Sequence, residues 1–264
     1  MKKIFIAIFA LLLSVNLAFA DKIEYENPKA GIYIFKIDTK KYGEKIKPYM
    51  ADRLMTAQKV YDDMGLDLAV NGGYFDAKDG RSVSYVVING IKFSDVEDDI
   101  ILSENLKKED RLDKVISRGE FRILENGNGK LKFDIARHNT PVEHGYKIKH
   151  ALQAGPIVYP DMDLIGEGFV KYKDDEVIFQ AVDILKKRER TLIGLKGKWL
   201  YIVLFTKDYM VDANEMKDYA KHLRLKKAIG FDGGLSTSIS CKDTSIGTLG
   251  KYQRRVKSFL IIER

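Results

Sequence analysis

Cysteine is almost absent from this sequence. Cys241 is the only one among 264 residues, so no disulfide can form within the chain, whatever the redox state of its compartment. It also lacks a recognisable nucleophile context, which favours a buried or incidental thiol. Stability must therefore come from an apolar core. Hydrophobic residues make up 45% of the chain, including 14 Tyr and 13 Phe, which is enough to build one.

Several functional signatures are missing as well. There is no phosphate-binding P-loop or dinucleotide fingerprint, and Ser236 does not lie in the Gly-x-Ser-x-Gly elbow of serine hydrolases. Outside residues 186–188 the basic residues are scattered among acids, so the net charge of +7 does not form the clustered face of a nucleic-acid-binding protein. The four histidines lack the tight spacing of metal ligands and are predicted to lie at the surface: His138, His144, His150 and His222.

A long apolar run occurs only at the N-terminus. Lys2 and Lys3 precede an apolar stretch at residues 4–13, and small residues at 18–20 precede Asp21, which is the three-part pattern of a secretory signal peptide. A retained membrane anchor is the alternative, but the stretch is shorter than the roughly 18 to 20 residues that a spanning helix needs. We expect removal of residues 1–20 and a periplasmic or secreted product without a stable membrane span.

Residues 21–264 are predicted to form a single strand-rich domain. Most apolar runs there are short, β-branched or aromatic and end in turn residues. Three hairpins and a closing strand are predicted, at residues 82–93, 121–133, 191–205 and 256–262. Two helices and one solvated insertion are predicted, at residues 49–64, 212–224 and 94–118. Because several strands follow one another directly, the fold class is predicted to be α+β, with a mixed sheet and few helices.

Three segments place glycines and polar side chains directly after strand-like runs. Their sequences are Asn71-Gly72-Gly73-Tyr74-Phe75-Asp76, Gln153-Ala154-Gly155-Pro156 and Asp232-Gly233-Gly234-Leu235-Ser236-Thr237. Each alone is typical of an ordinary tight turn. Together they indicate a functional site, because glycine permits unusual backbone conformations and strand ends hold side chains on a rigid scaffold.

The order of five motifs resembles the phosphodiester glycosidase family. The segments that begin at Asn71, Gln153 and Asp232 are similar to the family's Asn-Gly-Gly-Phe-Phe, Gln-Ser-Gly-Pro and Asp-Gly-Gly-x-Ser-Ser. Residues 190–194, Arg-Thr-Leu-Ile-Gly, resemble its Arg-Thr-x-x-Gly, and residues 254–256, Arg-Arg-Val, resemble its closing Arg-x-Val. The resemblance runs from about Leu66 to the C-terminus.

The resemblance implies hydrolysis of a sugar 1-phosphodiester at the anomeric carbon, on a glycan or a cell-envelope polymer. A carboxylate can stabilise the oxocarbenium-like centre, attack it, or activate water; Asp232 is the first candidate and Asp76 the second. The alternative for Asp232 is a purely structural role, as an aspartate that starts a turn and bonds its own backbone. Arg190 and Arg254 suit the departing phosphate because guanidinium groups bind phosphate in a bidentate way. Without the resemblance, Arg190 is one more member of an exposed basic run, residues 186–190.

Polar side chains and glycines of the motifs are the candidate substrate-binding residues: Asn71, Gly72, Gly73, Gln153, Gly233, Gly234, Ser236 and Arg254. The sequence requires no cofactor, although Asp76, Asp79 and Asp232 could supply oxygens to a divalent cation, so the metal question stays open, as does the oligomeric state.

The sequence departs from the family pattern at three positions, which leaves other functions open. Leu235 stands where glycine is common, Thr237 replaces a serine, and Ser258 stands where asparagine is common. These departures keep open a non-catalytic envelope protein that binds anionic glycans in the same pocket. A structural or partner-binding role would depend on residues 94–118.

Overall fold

Strands dominate the computed structural model, which describes residues 23–248 and 252–264. The predicted signal peptide lies outside the described residues. The strands are β1 (Ile23–Lys29), β2 (Ile32–Asp38), β3 (Ile46–Met55), β4 (Leu68–Asn71), β5 (Val86–Ile88), β6 (Ile91–Ser94), β7 (Gly119–Asn126), β8 (Leu131–Arg137), β9 (Tyr146–Gln153), β10 (Ile157–Tyr159), β11 (Val170–Lys173), β12 (Glu176–Gln180), β13 (Arg190–Lys196), β14 (Trp199–Phe205), β15 (Lys227–Phe231), β16 (Ser238–Cys241), β17 (Thr244–Gly247) and β18 (Val256–Ile262). The α-helices are short: α1 (Thr39–Tyr42), α2 (Ala57–Met64), α3 (Ile100–Lys108), α4 (Leu112–Ile116) and α5 (Ala213–His222). The α+β class and the excess of strands over helices are confirmed.

The strands form three larger sheets and one hairpin. One sheet has the order β1-β2-β14-β13-β15-β10, a second β17-β16-β4-β18-β3, and a third β6-β5-β9-β7-β8, while β11 and β12 pair alone. The strand pairs of the described residues are antiparallel, where the sequence predicts a mixed sheet. A shared apolar core joins the three sheets, with Phe35, Phe121 and Leu260 among its fully buried members. Burial of this surface is the main source of stability.

The predicted helix over residues 49–64 is wrong in its first half. Residues 46–55 form β3, which pairs with β18 so that Tyr49 lies opposite Phe259 and Met55 opposite Val256. The helix begins only after Thr56, whose hydroxyl accepts a hydrogen bond from the backbone N–H of Lys59 at 3.1 Å. Tertiary pairing has overridden a helical spacing of apolar residues.

The predicted hairpins are confirmed as β5–β6, β7–β8 and β13–β14. Asn89 and Gly90 join the first pair with positive φ at both positions, as this two-residue turn requires. The helix predicted near residues 212–224 is confirmed as α5, which begins with a capping box between Asp212 and Glu215. The segment 94–118 is more ordered than predicted, because α3 and α4 bury a small apolar cluster of its own around Leu106.

Among residues 23–248 and 252–264, none of the helices has the length and apolar character needed to cross a membrane.

Candidate active site where the sheets meet

The three glycine-rich motifs meet where strands of different sheets end. β4 ends at Asn71, β9 at Gln153 and β15 at Phe231, and these strands belong to three different sheets. The backbone joins them directly, since Asp232 N–H donates to the carbonyl of Gly72 at 3.0 Å. The sequence motifs are therefore brought together in space.

Asn71 ties this junction together. Its Nδ2 donates to the carbonyl of Asp232 at 2.6 Å, and its Oδ1 accepts from Thr191 Oγ1 at 2.8 Å and from Ser238 N–H at 3.1 Å. The residue is fully buried. Protein groups thus use three of the four hydrogen-bonding positions of this amide, which positions the Asp232 segment, and its predicted contact with substrate stays a prediction.

Gln153 has a similar position in the neighbouring sheet. Its Oε1 accepts from Tyr85 N–H at 3.1 Å and its Nε2 donates to the carbonyl of Ile116 at 2.8 Å. A Cβ atom at Gly73 would lie 2.3 Å from the carbonyl oxygen of Gln153, so only glycine allows the two segments to pack this closely. Gln153 and Gly73 hold the motifs against each other.

Ser258, one of the departures from the family pattern, supports the same glycines. Its carbonyl accepts from Gly72 N–H at 2.8 Å and its Oγ accepts from Gly73 N–H at 3.0 Å. Serine therefore supplies an acceptor for this loop.

Asp232 is the carboxylate at the centre of the junction. It is partly exposed, yet protein surrounds it densely enough that burial raises its pKa to about 6, against the smaller lowering effects of Ser236, Arg254, Gly233 and Arg190. At pH 7 the Asp232 carboxyl is therefore ionised in most molecules, and it takes up a proton when the pH falls by about one unit.

The hydroxyls beside Asp232 lack full hydrogen bonding. Ser236 Oγ and Thr237 Oγ1 are buried and have no hydrogen-bond partner among the described residues. Ser236 nevertheless lies near enough to lower the pKa of Asp232. The Ser236 hydroxyl is thus close to the carboxyl without the geometry of a formed hydrogen bond. Unpaired buried hydroxyls are costly and need an explanation such as a ligand or water.

Arg190 is buried, with 3% of its surface exposed, so the exposed-run interpretation is wrong for this residue. Its guanidinium donates to four backbone carbonyls, at 3.3 Å to Val211, 3.2 Å to Val182, 2.7 Å to Asp183 and 3.0 Å to Lys186. Burial lowers its pKa. An arginine has five N–H donors, so this arrangement leaves one for any other group.

Arg254 contrasts with Arg190. Its guanidinium carbon lies 5.3 Å from the ring centroid of Phe75, and its charge lowers the pKa of Asp232. It makes no hydrogen bond or ion pair with another residue in the described ranges 23–248 and 252–264. Its donors are therefore available within electrostatic range of the Asp232 carboxyl.

Asp76 lies in a turn. Its Oδ1 accepts from Lys78 N–H at 2.8 Å and its carbonyl accepts from Gly80 N–H at 2.8 Å, which is the geometry of an aspartate that starts a turn. Asp79 is paired with Arg81. In the part of the chain that the structure describes, no three or more Asp, Glu, His or Cys side chains gather into a group that could hold a metal ion.

Three further residues next to the motifs were missed by the sequence analysis. Tyr74 is buried, its hydroxyl donates to the carbonyl of Gly155 at 2.8 Å, and burial with the charge of Asp232 raises its pKa. Glu167 is also buried, which raises its pKa, and it accepts hydrogen bonds from backbone N–H groups. Arg118 lies over the ring of Tyr74. Tyr74 stood within a motif, but no spacing rule marks Arg118 or Glu167.

The surface prediction for the histidines is wrong at two positions. His150 lies buried in β9, where its Nδ1 accepts from Asn89 N–H at 3.2 Å and burial lowers its pKa to about 4. His138 is half-buried, and its Nδ1 lies 2.9 Å from Glu120 Oε2, a hydrogen bond that raises the pKa of His138. Glu120 in turn bonds Arg122, which is 1% exposed. Cys241 is buried as predicted, which raises the pKa of its thiol to about 12.

Known proteins resemble this chain in sequence pattern and in fold. The family model for phosphodiester glycosidases matches residues 64–263. The fold is similar to the catalytic domain of zebrafish N-acetylglucosamine-1-phosphodiester alpha-N-acetylglucosaminidase, auto-inhibited by pro-peptide, with a TM-score of 0.63 and 12% identity over 92% of this chain and 77% of that one. A hypothetical protein from Synechocystis has a TM-score of 0.59 and 12% identity, covering 92% and 62% of the two chains.

A third solved structure, named "Putative exported protein", comes from Burkholderia pseudomallei. It has a TM-score of 0.58 and 11% identity, covering 92% of this chain and 74% of that one. The comparison with curated proteins gave no match.

Proposed function

The chain belongs to the phosphodiester glycosidase family, and from this premise we propose that it is an exported hydrolase that cleaves a sugar 1-phosphodiester at the glycosidic bond. The observation that carries the proposal is a single one: the Asp232 carboxyl, with its pKa raised to about 6 by burial, lies within electrostatic range of the Arg254 guanidinium, which has no hydrogen-bond or ion-pair partner among the described residues. The proposed reaction needs a base that activates water and a cation that binds the leaving phosphate, both in the same site.

The bond that breaks joins the anomeric carbon to the bridging phosphate oxygen. That oxygen leaves with the electron pair as part of a phosphomonoester, while a water oxygen forms the new bond to the anomeric carbon. Asp232 accepts the proton from water and later releases it to solvent; direct attack by its carboxylate is the alternative route. A phosphomonoester is a competent leaving group, so a strong general acid is unnecessary.

Charge builds up on the leaving phosphate, and a nearby cation stabilises it. Arg254 serves this purpose in our proposal because its donors are unused beside Asp232. Arg190 contributes mainly by its charge and by holding the loop at residues 182–186, since four of its N–H groups already bond backbone carbonyls.

Sugar hydroxyls would meet the glycine-rich segments next to Asp232. Asn71 and Gln153 hold those segments in place, and Ser236, whose Oγ has no hydrogen-bond partner among the described residues, is the side chain we assign to a substrate oxygen. The sugar class is N-acetylglucosamine-like, which the name of the zebrafish relative suggests. The acceptor is a phosphorylated glycan or envelope polymer.

Export is part of the same proposal. The three-part pattern at residues 1–20 favours it, and the similarity to a bacterial protein named as exported is in agreement. The periplasm or the exterior would then be the place of action.

The test is to offer the purified protein a synthetic α-N-acetylglucosaminyl phosphodiester and to measure both products. We expect free sugar and the acceptor phosphomonoester in equal amounts. Sugar 1-phosphate would mean that the P–O bond is cut and would overturn the proposal. Saturable binding without turnover across a panel of sugars would instead support an anionic-glycan binder.

A further inference from the structure

Arg118 is a buried arginine with most of its donors unused. Only 6% of its surface is exposed, and its Nε donates to the carbonyl of Glu167 at 3.1 Å. Its two terminal nitrogens, which carry four N–H donors, make no hydrogen bond or ion pair with any residue in the ranges 23–248 and 252–264. These nitrogens are not among the buried side-chain atoms that lack a partner in the described ranges, so they keep solvent contact and a ligand can reach them.

Its neighbours cannot supply the missing acceptors. The guanidinium carbon lies 4.2 Å from the ring centroid of Phe169 and 5.3 Å from that of Tyr74, and ring faces attract a cation without satisfying its N–H groups. The Glu167 carboxylate is occupied, because it accepts from Gly119 N–H at 2.7 Å and from Ile157 N–H at 3.0 Å. Burial lowers the pKa of Arg118 to about 10, so it stays charged at neutral pH.

Another buried arginine of this chain shows what a purely structural arrangement looks like. Arg122 donates to the carboxylate of Glu120 and to the carbonyls of Arg137, His138 and Thr140. Its guanidinium is enclosed by acceptors. The fold therefore pairs four of the five donors of Arg122, whereas at Arg118 only Nε is paired with a described residue.

Arg118 is coupled to the proposed active site through Tyr74. Asp232 raises the pKa of this phenol and Arg118 lowers it, so both charges lie within electrostatic range of one ring. The guanidinium carbon of Arg118 lies 5.3 Å from the ring centroid of Tyr74, a residue of the first motif, and the Tyr74 hydroxyl bonds the carbonyl of Gly155 in the second motif. Arg118 is therefore a neighbour of the segments that carry the proposed site.

We propose that Arg118 is a phosphate-binding residue of this site, a role that no sequence motif indicates. The planar fork of its terminal N–H groups matches two oxygens of one phosphate, and the aromatic walls exclude the water that would weaken the contact. The ligand is the phosphate of the substrate or of the phosphomonoester product. This inference deepens the proposed function and rests on it for the identity of the ligand.

The test measures binding rather than turnover. Inorganic phosphate is titrated into the purified protein by calorimetry at constant ionic strength, with acetate as a comparison anion. Arg118→Met, which keeps a long apolar stem against Phe169, should weaken phosphate binding at least tenfold, and Arg118→Lys should lie between it and the unchanged protein.

Arg137→Met is the matched control. Arg137 also lies near Glu167, at 3.9 Å, but its guanidinium is already paired with Asp163 at 2.7 Å. Its loss should change phosphate binding less than twofold. Equal phosphate affinity in Arg118→Met and the unchanged protein, or equal losses in Arg118→Met and Arg137→Met, would overturn the inference. Equal Arg118-dependent binding of acetate would also overturn it, because the ligand would then not be phosphate.

This inference and the proposed function fail in different ways. If no sugar is released but phosphate binding depends on Arg118, the proposed reaction fails and the phosphate site stands. The melting temperature of Arg118→Met shows whether this variant folds. If the folded variant releases sugar with an unchanged KM, the proposed reaction stands and the phosphate site fails.

Discussion

Two groups of buried or partly buried charges lie in this protein, and they are arranged in opposite ways. The first, the paired cluster, consists of Glu120, Arg122 and His138, in which each charged group bonds another member or a backbone carbonyl. The second, the open cluster, consists of Asp232, Ser236 and Arg254, in which burial raises the pKa of the acid to about 6, the hydroxyl has no partner among the described residues, and the guanidinium has none there either.

The difference indicates that the paired cluster serves the stability of the fold and that the open cluster serves ligand binding. A buried charge destabilises the folded state unless hydrogen bonds compensate it, and the paired cluster supplies that compensation. The open cluster leaves it incomplete, which is the expected arrangement where a ligand completes the set. Substitutions in the two clusters should therefore have opposite effects on stability.

The largest effect is expected from Asp232→Asn. Turnover should fall roughly 10³- to 10⁴-fold if the carboxylate acts as the base. The free energy of unfolding at pH 7 should rise, by up to about 3 kcal/mol, because the substitution removes an ionised group that burial disfavours. Kinetics on the synthetic phosphodiester and urea unfolding measure the two changes on the same protein.

The pH dependence gives a control for this prediction. Burial raises the pKa of Asp232 from 3.8 to about 6, so the folded state favours the protonated acid and the protein loses stability as the pH rises from about 4 to 6. That part of the slope should be absent from Asp232→Asn. A variant that is less stable than the parent at pH 7 would show that Asp232 belongs with the structural charges.

The next largest effect is expected in the paired cluster. Arg122→Met leaves the buried Glu120 with only His138 as a charged partner and should lower the free energy of unfolding by about 3 to 5 kcal/mol. Chemical denaturation measures the loss. Lys107→Met removes one member of an exposed pair with Glu104 and should cost less than about 1 kcal/mol. Similar losses in the two variants would contradict the contrast between paired and exposed charges.

The smallest effect is expected from His138→Gln. The hydrogen bond to Glu120 raises the pKa of His138, so the stabilisation is fully present below about pH 6.5 and is lost as the pH rises through the folded-state value. The unchanged protein should therefore lose about 1 kcal/mol or less across that window, and His138→Gln should show a flatter profile. His144→Gln, an exposed histidine, serves as the reference; an identical flattening there would assign the slope to something else.

Local turn chemistry made much of the fold predictable. Asn89-Gly90 and the glycine turns at residues 127–129 and 196–198 define hairpins through φ requirements that a single sequence displays. The first half of the predicted helix at residues 49–64 failed because β18, some 200 residues away, pairs with that segment. Such long-range competition has no local signal.

In the site, the sequence predicted which segments come together better than what each side chain does. Asn71 and Gln153 carry amides suited to a sugar, yet both are used to join strands. Arg118 is the opposite case, because no sequence motif marks it as a site residue. Its burial depends on Phe169 and Tyr74, which come from other parts of the chain. Hydrogen-bond saturation can be judged only when the partners are known.

The loop at residues 182–186 is folded around a cation that belongs to the chain itself. Three of its carbonyl oxygens point at the Arg190 guanidinium, in the way that carbonyls elsewhere surround a metal ion, and Val182 and Asp183 both adopt positive φ to reach it. Removal of the Arg190 guanidinium would leave these carbonyl dipoles facing one another without a cation between them. The loop at residues 182–186 would then move away from the segment that contains Gly233. An alanine scan would then record Arg190 as indispensable for mechanical reasons, whatever else the guanidinium does.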